Sequence, residues 1–256
     1  MSRTSYSLLG VRVDPLSLAA LTAAVTDAVN SGRRCVIANH NLHSICLHRR
    51  DERLRAFYRL AHLTFIDGMS IIFAGRLLGF PMRREHRVTY VDWLDPLMAT
   101  AAASGWRVMY LGGARGVAHR GAAVLRSRHP RLSIETMHGF FDPARDGEEN
   151  REVLREIRTV APELLMVGMG MPRQEHWILE NLPSLPSCVV LTAGAAITYA
   201  AGVVPTPPRW AGQIGMEWLF RLVAEPRRLW KRYLLEPWSA LGLLVRDLVT
   251  HPRWSR

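Results

Sequence analysis

Cysteine is scarce in this chain, and the scarcity limits how the fold can be held together. The three cysteines are Cys35, Cys46 and Cys188, and they form no CxxC pair and no cluster with metal-ligand spacing. This pattern offers no disulfide framework, so we expect a reducing, cytosolic environment. Residues 1–15 contain no apolar core of signal-peptide length, and no uncharged run approaches the roughly 20 residues of a membrane span. If the protein works at a membrane, we expect it to lie on the surface.

Acidic residues are also in short supply, which leaves the chain strongly basic. Lys and Arg total 33 against 22 for Asp and Glu, a formal net charge of +11. Anionic partners are therefore expected, and nucleic acid, phospholipid headgroups and phosphorylated substrates all qualify. Almost all of the basic residues are arginines, whose planar guanidinium binds phosphate as a two-pronged fork.

Two motifs that commonly hold nucleotide phosphates are missing. The sequence contains no DxD motif, which would hold a divalent ion on a sugar diphosphate, and no P-loop lysine. A reaction that expels a nucleoside diphosphate would then rely on arginines, loop amides and helix N-termini to neutralise the developing charge. We therefore predict no metal and no other cofactor.

Apolar segments alternate with helix-like segments along most of the 256 residues. Predicted strands cover residues 7–13, 35–38, 63–66, 106–111, 132–136, 164–168 and 188–192, with helices over residues 16–29, 44–60, 69–78, 91–104, 117–129 and 148–160. Near-continuous apolar strands between helices indicate a parallel sheet covered on both faces. We predict an α/β, Rossmann-like catalytic domain over residues 1–210 and a helical, basic C-terminal appendage over residues 211–256.

Polar side chains follow two of the predicted strands, where α/β proteins keep their functional groups. Asp67 stands between the apolar residues 63–66 and Gly68, while Asn39 and Asn41 come directly after the preceding strand. A carboxylate in this position suits a general base acting on an incoming hydroxyl. The amides suit hydroxyls or the edge of a uracil. The alternative in both places is an ordinary turn or helix cap.

Two strand ends are rich in glycine. Gly112 and Gly113 connect a strand to a helix, and Gly168 begins a segment that carries Gln174 and Glu175 into the first turn of another helix. A strand, glycine turn and helix present backbone N–H groups to a phosphate, although a pair of glycines does not specify a nucleotide. We predict that these five residues bind substrate.

The C-terminal part is helical, aromatic and basic. Trp218, Trp230 and Tyr233 recur at helical spacing, and several arginines are interleaved with them. Such a segment can lie in a lipid headgroup interface with its arginines on phosphates. Alternatively, its apolar stripe packs on the catalytic domain.

Three motifs together resemble the WecG/TagA/CpsF glycosyltransferase family, and the resemblance covers nearly the whole chain. They are residues 168–175 (GMGMPRQE), residues 215–222 (GMEWLFRL), and residues 225–228 (EPRR) with 232–233 (RY). Asn41 and residues 67–68, 111–113 and 139–141 agree in spacing. The resemblance implies an inverting, metal-independent transferase of the exopolysaccharide or teichoic-acid type. Such an enzyme moves a sugar from a UDP-sugar to a polyprenyl-diphosphate-linked saccharide at the inner face of the cytoplasmic membrane.

The same resemblance assigns residue roles. Asp67 takes the position of the catalytic base, and Gln174 takes that of the active-site glutamine. Four arginines match the basic appendage that closes over the site, grips the diphosphate and touches an anionic membrane: Arg221, Arg227, Arg228 and Arg232.

The chain departs from the usual family pattern near the expected donor pocket. Asn39 replaces a common Thr, Thr198 a common Asp, and Thr206 a common Arg. These departures argue against carrying over N-acetylmannosamine or its uronic acid as the donor sugar. We expect a hexosyltransferase of the exopolysaccharide-type branch, with an N-acetylhexosaminyltransferase as the alternative.

A basic nucleic-acid-binding α/β protein without catalysis is the competing hypothesis, suggested by the net charge of +11. Against it, the C-terminal aromatics form an amphipathic stripe, and the sequence has no helix-turn-helix or RNA-binding signature. The predicted partners are therefore a UDP-sugar, a lipid-linked acceptor and an anionic membrane surface, without nucleic acid. A homo-oligomer is compatible with the sequence.

Overall fold

A computed structural model describes residues 4–206, 211–212, 215–234 and 236–250, without the side chains of residues 224, 228 and 239. Within these residues the strands are β1 (Tyr6–Leu8), β2 (Val11–Val13), β3 (Cys35–His40), β4 (Leu63–Ile66), β5 (Arg107–Gly112), β6 (Ser133–Met137), β7 (Leu164–Gly168) and β8 (Val189–Thr192). The α-helices are α1 (Leu18–Asn30), α2 (Leu42–Arg50), α3 (Glu52–Leu60), α4 (Met69–Leu77), α5 (Tyr90–Ser104), α6 (Val117–Arg128), α7 (Glu148–Val160), α8 (Arg173–Asn181), α9 (Ala196–Ala200), α10 (Glu217–Ala224), α11 (Pro226–Leu234) and α12 (Glu236–Thr250).

Six strands form one parallel sheet in the order β4-β3-β8-β7-β5-β6. Its central strands are buried along their whole length, as in β7 and β8, because helices cover both faces. Residues of β3 alternate between the two faces: Ile37 belongs to one core cluster, while Val36 and Ala38 belong to the other. The predicted α/β, Rossmann-like class is confirmed.

Two predicted elements are wrong in detail. Residues 7–13 form a hairpin, β1 and β2, rather than one strand, because the chain reverses through Leu9 and Gly10 with φ of 53° and 77°. Residues 44–60 form two helices rather than one. Asp51 lies between them in extended conformation, and its side chain accepts a hydrogen bond from the Leu54 amide at 3.0 Å, which caps the start of α3.

The C-terminal helices α10 to α12 are attached to the rest of the protein at several points. Leu243 of α12 packs in a third core cluster with residues of the hairpin and α4. The buried Asp247 carboxylate accepts a hydrogen bond from the Leu9 amide at 2.6 Å, and His43 lies 2.7 Å from Glu236. None of the described helices combines the length and the hydropathy that a membrane-spanning segment requires. The division at residues 210 and 211 stays a prediction, since residues 207–210 lie outside the description.

Candidate active site

A cavity of about 310 Å³ opens where β3, β4, β7 and β8 end at their carboxyl edge. Parallel strands bring their C-terminal loops to one edge, so residues distant in sequence meet there. Helices α10 and α11 form the opposite wall. Six of the predicted site residues line the cavity: Asn39, Asn41, Asp67, Gln174, Arg221 and Arg232.

Asp67 is held in place by its neighbours at the end of β4. Its backbone amide donates to the His40 carbonyl at 2.8 Å. The Asn39 side-chain amide donates to Asp67 Oδ2 at 3.3 Å, and Thr192 Oγ1 in turn donates to Asn39 Oδ1 at 2.8 Å. This chain of contacts fixes the direction of the Asn39 amide, so that a donor faces the carboxylate.

The electrostatic environment adjusts the proton affinity of Asp67. Burial, as the main cause, and the negative charge of Glu217 together raise the pKa of its carboxyl from the ordinary value to about 6. The positive charges of Arg87, Arg221 and Arg232 oppose this rise. A carboxylate with such a pKa is mostly ionised at neutral pH yet is a better proton acceptor than a free aspartate.

Gln174 joins two glycine loops at the cavity wall. Its Oε1 accepts hydrogen bonds from the amides of Gly170 at 3.2 Å and Gly194 at 3.1 Å, and its Nε2 donates to Glu175 Oε1 at 2.7 Å. Glu175 is fully buried behind Gln174, away from the cavity lining, and burial raises its pKa to about 7. The pair fixes the relative position of the loops that follow β7 and β8.

Arginines supply the positive charge of the cavity. Arg221 and Arg232 line it, and the Arg221 Nε is buried without a hydrogen-bond partner in the part of the chain that the structure describes. Arg227 is exposed on α11 outside the lining, and the side chain of Arg228 lies outside the described residues. In the described ranges, no group of three His, Cys, Asp or Glu side chains is placed to hold a metal ion.

Arg87, which sequence reasoning did not assign to the site, connects α10 to the sheet domain. Its Nη2 lies 2.7 Å from Glu217 Oε1, and its Nη1 donates to the Gly212 carbonyl at 3.3 Å. The Arg87 side chain is only 9% exposed, so little solvent screens the ion pair. Through this pair Glu217 is held at the cavity, where its charge acts on Asp67.

Gly112, Gly113 and Gly168 occupy a different place from the one expected of phosphate-binding loops. As defined by the described residues, the cavity lining does not include them. A β-carbon on Gly112 would overlap the Gly168 carbonyl, and one on Gly168 would overlap the Tyr110 hydroxyl. Gly112 and Gly168 therefore allow β5, β7 and the Tyr110 side chain to pack closely. The role of all three glycines in substrate binding stays a prediction.

Sequence reasoning also left out several residues that line the cavity, among them Thr89, Tyr90, Ala193, Gly194, Tyr199 and Glu217. The segment after β8 repeats the pattern of an apolar strand followed by glycine, and that signal was available. Tyr90 is the first residue of α5, and its hydroxyl donates a hydrogen bond to the Thr192 carbonyl at 2.8 Å. Because Tyr90 and Thr192 are 102 positions apart, no local sequence pattern could indicate this contact.

Comparison with known proteins places this site in context. Residues 6–253 match the profile described as the Glycosyl transferase WecG/TagA/CpsF family. Two similar proteins are N-acetylglucosaminyldiphosphoundecaprenol N-acetyl-beta-D-mannosaminyltransferases of Staphylococcus aureus, from strains NCTC 8325 / PS 47 and MRSA252. Each is 27% identical over 166 residues, which cover 65% of this chain and 61% of the relative. The match thus spans less than two thirds of the relatives' length.

Proposed function

The chain belongs to the WecG/TagA/CpsF glycosyltransferase family, and from this premise we propose that it transfers a sugar from a UDP-sugar to a polyprenyl-diphosphate-linked saccharide. One observation carries the proposal. Asp67, a carboxylate with a raised pKa, shares a cavity with Arg221 and Arg232 at the carboxyl edge of a parallel sheet. The site thus combines a proton acceptor with cations suited to a diphosphate.

Asp67 is the proposed general base. Its carboxylate takes the proton from an acceptor hydroxyl as the oxygen attacks the anomeric carbon, and the bond to the nucleoside diphosphate breaks on the opposite side. A single displacement of this kind inverts the anomeric configuration. With a pKa of about 6, roughly nine in ten carboxyl groups are ionised at pH 7. General-base catalysis of this kind contributes typically about 10² to 10⁴ in rate.

Arg221 and Arg232 are the proposed partners of the departing diphosphate, in place of a metal ion. Both line the cavity, and Arg221 Nε, which is buried, has no hydrogen-bond partner among the described residues. A charge-assisted hydrogen bond from either guanidinium group to a phosphate oxygen would stabilise the charge that develops on the departing group. Loss of one such donor costs on the order of 3 kcal/mol of transition-state stabilisation in comparable sites.

The identity of the sugars is a finer proposal. The names of the relatives give an N-acetylglucosaminyl-diphosphoundecaprenol acceptor and an N-acetylmannosaminyl group, which supports a lipid-linked acceptor here. At the cavity, Asn39 and Ala195 line the wall, and Thr198 donates its hydroxyl to the Ala195 carbonyl at 2.6 Å. Because Asn39 and Thr198 depart from the usual family pattern, we propose a hexose-type donor, with N-acetylmannosamine as its main competitor.

The C-terminal helices support a peripheral position on the inner face of the cytoplasmic membrane. One side of this segment packs on the domain through buried residues such as Leu229 and Leu243. Elsewhere it exposes large apolar side chains: Trp218, Leu219, Val223, Trp230, Leu234, Trp238, Leu241, Val245, Leu248 and Val249. Exposed aromatics and leucines beside arginines suit a headgroup interface. This arrangement would bring the cavity close to a lipid-linked acceptor.

The proposal is tested with Asp67→Asn and a matched control, Asp146→Asn, which neutralises an exposed carboxylate away from the cavity. Both proteins are assayed with a panel of UDP-sugars and a synthetic N-acetylglucosaminyl-diphospholipid acceptor. We expect Asp67→Asn to lose about 10² to 10⁴ in transfer rate, while UDP binding and thermal unfolding stay close to those of the control. Near-normal turnover of Asp67→Asn would exclude it as the base. Absence of transfer by the unmodified protein with every donor would contradict the proposed function itself.

A further inference from the structure

A second cavity, of about 320 Å³, lies on the other side of β3 from the candidate active site. The hairpin β1–β2, strand β4 and helices α2 and α3 contribute to its wall. Neighbouring residues of one strand point to opposite faces of the sheet, so Asn39 lines the first cavity while His40 lines the second. The second cavity is therefore separate from the proposed site of transfer.

Positive charge converges on this cavity from three elements. Arg12 comes from β2, and Arg55 and Arg59 come from α3, one turn apart, with His48 of α2 beside them. The arginine charges act on His48. Burial lowers the pKa of its imidazole, and the positive charges of Arg55 and Arg59 lower it further. His40 is stacked on Tyr58 at a centroid distance of 3.9 Å, and its pKa is lowered to about 3, chiefly by burial.

Little negative charge offsets these groups within the described residues. Asp14 is 3.9 Å from Arg12, but its carboxylate also accepts the Thr64 amide at 2.6 Å and the Ser5 hydroxyl. Arg55 donates hydrogen bonds to the backbone carbonyls of His48 and Arg49, each at 3.1 Å, in the last turn of α2.

Arg59 is exposed, and in the described part of the chain no carboxylate lies within ion-pair distance of Arg55 or Arg59. Arg12 also donates to the Ala61 carbonyl at 2.9 Å. Guanidinium groups that converge on a concave surface with few carboxylates to neutralise them are a typical arrangement for recognising phosphate.

We propose that this second cavity binds a phosphate or diphosphate group through Arg12, Arg55 and Arg59. The group belongs either to a free anion or to a lipid headgroup, and the two share the same charged oxygens. The cavity exceeds the space that one phosphate needs, so the remainder of the ligand extends toward its open side. The site is additional to the diphosphate contacts of Arg221 and Arg232 and does not depend on the proposed transfer reaction.

The test follows His48 by NMR, because its ring reports on the second cavity alone. Inorganic pyrophosphate is added to the full chain at a series of pH values. A bound anion beside His48 should raise its pKa in a saturable manner, since it offsets the charges of Arg55 and Arg59. We expect Arg59→Gln to weaken the binding about tenfold or more, equivalent to about 1.4 kcal/mol. Arg33→Gln removes an exposed charge from the bend that precedes β3, so this variant should bind pyrophosphate as the unmodified protein does.

Two further arms identify the source of the phosphate and separate the two cavities. Arg232→Gln should weaken the binding of an anion in the first cavity and leave the His48 response unchanged. Vesicles of phosphatidylcholine with and without phosphatidic acid replace pyrophosphate in the second arm. A His48 response to pyrophosphate supports a site for free phosphate groups, and a response only to phosphatidic acid supports a headgroup site. No response to either, or equal effects of Arg59→Gln and Arg33→Gln, would overturn the proposal.

Discussion

The parallel sheet and the C-terminal helices are both rich in apolar residues but use them in opposite ways. In β7, all five residues are buried. In α12, by contrast, Trp238 is 73% exposed and Val249 is 76% exposed. The sheet is covered by helices on both faces, whereas the described helices α10 to α12 are covered on one side only. Apolar content therefore indicates burial in the sheet and an exposed surface in the C-terminal segment.

The two regions nevertheless build one cavity. The sheet supplies Asp67 and the glycine loops around Gln174, and the C-terminal helices supply Glu217, Arg221 and Arg232. The ion pair of Arg87 with Glu217 joins them at 2.7 Å. A buried sheet region thus supplies the proposed base, while a region with an exposed apolar surface supplies the proposed cations.

The largest effect is expected from a substitution that tests burial in the sheet. Leu191 of β8 is fully buried between the neighbouring strands and helices. Leu191→Ala should lower the free energy of unfolding by about 2–5 kcal/mol, because it removes buried methyl groups and leaves a cavity. Chemical denaturation measures the change. Trp238→Ala, a larger truncation in the C-terminal segment, should change it by less than about 0.5 kcal/mol. Equal losses from the two substitutions would abolish the contrast between the regions.

The next effect tests how the C-terminal segment acts on the sheet. The proposed base must be deprotonated, so kcat/KM should be full above the pKa of Asp67, about 6, and fall about tenfold per pH unit below it. Glu217 raises this pKa. Glu217→Gln should therefore move the acidic limb of the profile to lower pH.

Glu156→Gln serves as the matched control for this profile. Glu156 is exposed on α7 and does not line the cavity formed by the described residues. An acidic limb that stays in place in Glu217→Gln would show that the two regions are not coupled through this charge. A limb that moves equally in both variants would show a general charge effect.

The smallest effect concerns the exposed face itself. Trp238→Ala should reduce binding to vesicles that contain anionic lipid by a fewfold, because it removes one of several apolar side chains from the interface. Co-sedimentation with vesicles measures it. Phe140→Ala offers a comparison, since Phe140 is also exposed, at 66%, but lies in the loop after β6. Equal vesicle binding by both variants and the unmodified protein would argue against membrane binding by the exposed face of the C-terminal helices.

Much of this arrangement could be predicted because it follows from local patterns of apolar and polar residues in the sequence. Apolar strands between amphipathic helices predicted the sheet, and polar residues directly after the predicted strands predicted Asn39, Asn41 and Asp67 as site residues. Parallel strands make these residues neighbours by geometry, since their carboxyl ends meet at one edge. The alternative interpretation is also present: Asn41 caps α2 by accepting the Ser44 amide at 3.1 Å while it lines the cavity.

The remainder depends on contacts that local patterns do not record. Arg87 and Glu217 are 130 positions apart, and neither has a neighbour that signals the other. Glycine is ambiguous for a physical reason: it serves both phosphate loops and close backbone packing. Gly112 and Gly168 illustrate close backbone packing. This is visible only in the structure, where a β-carbon on Gly112 would overlap the Gly168 carbonyl.

The alternation of side chains along β3 places a limit on how this sequence can change. Asn39 and His40 face different cavities because they are consecutive in an extended strand. Substitution at either position alters one cavity alone. Insertion or deletion of a single residue within β3 would instead exchange the two sets of side chains, burying imidazole where the amide contacts Asp67. Strand length at this point should therefore be fixed in evolution even where residue identity varies.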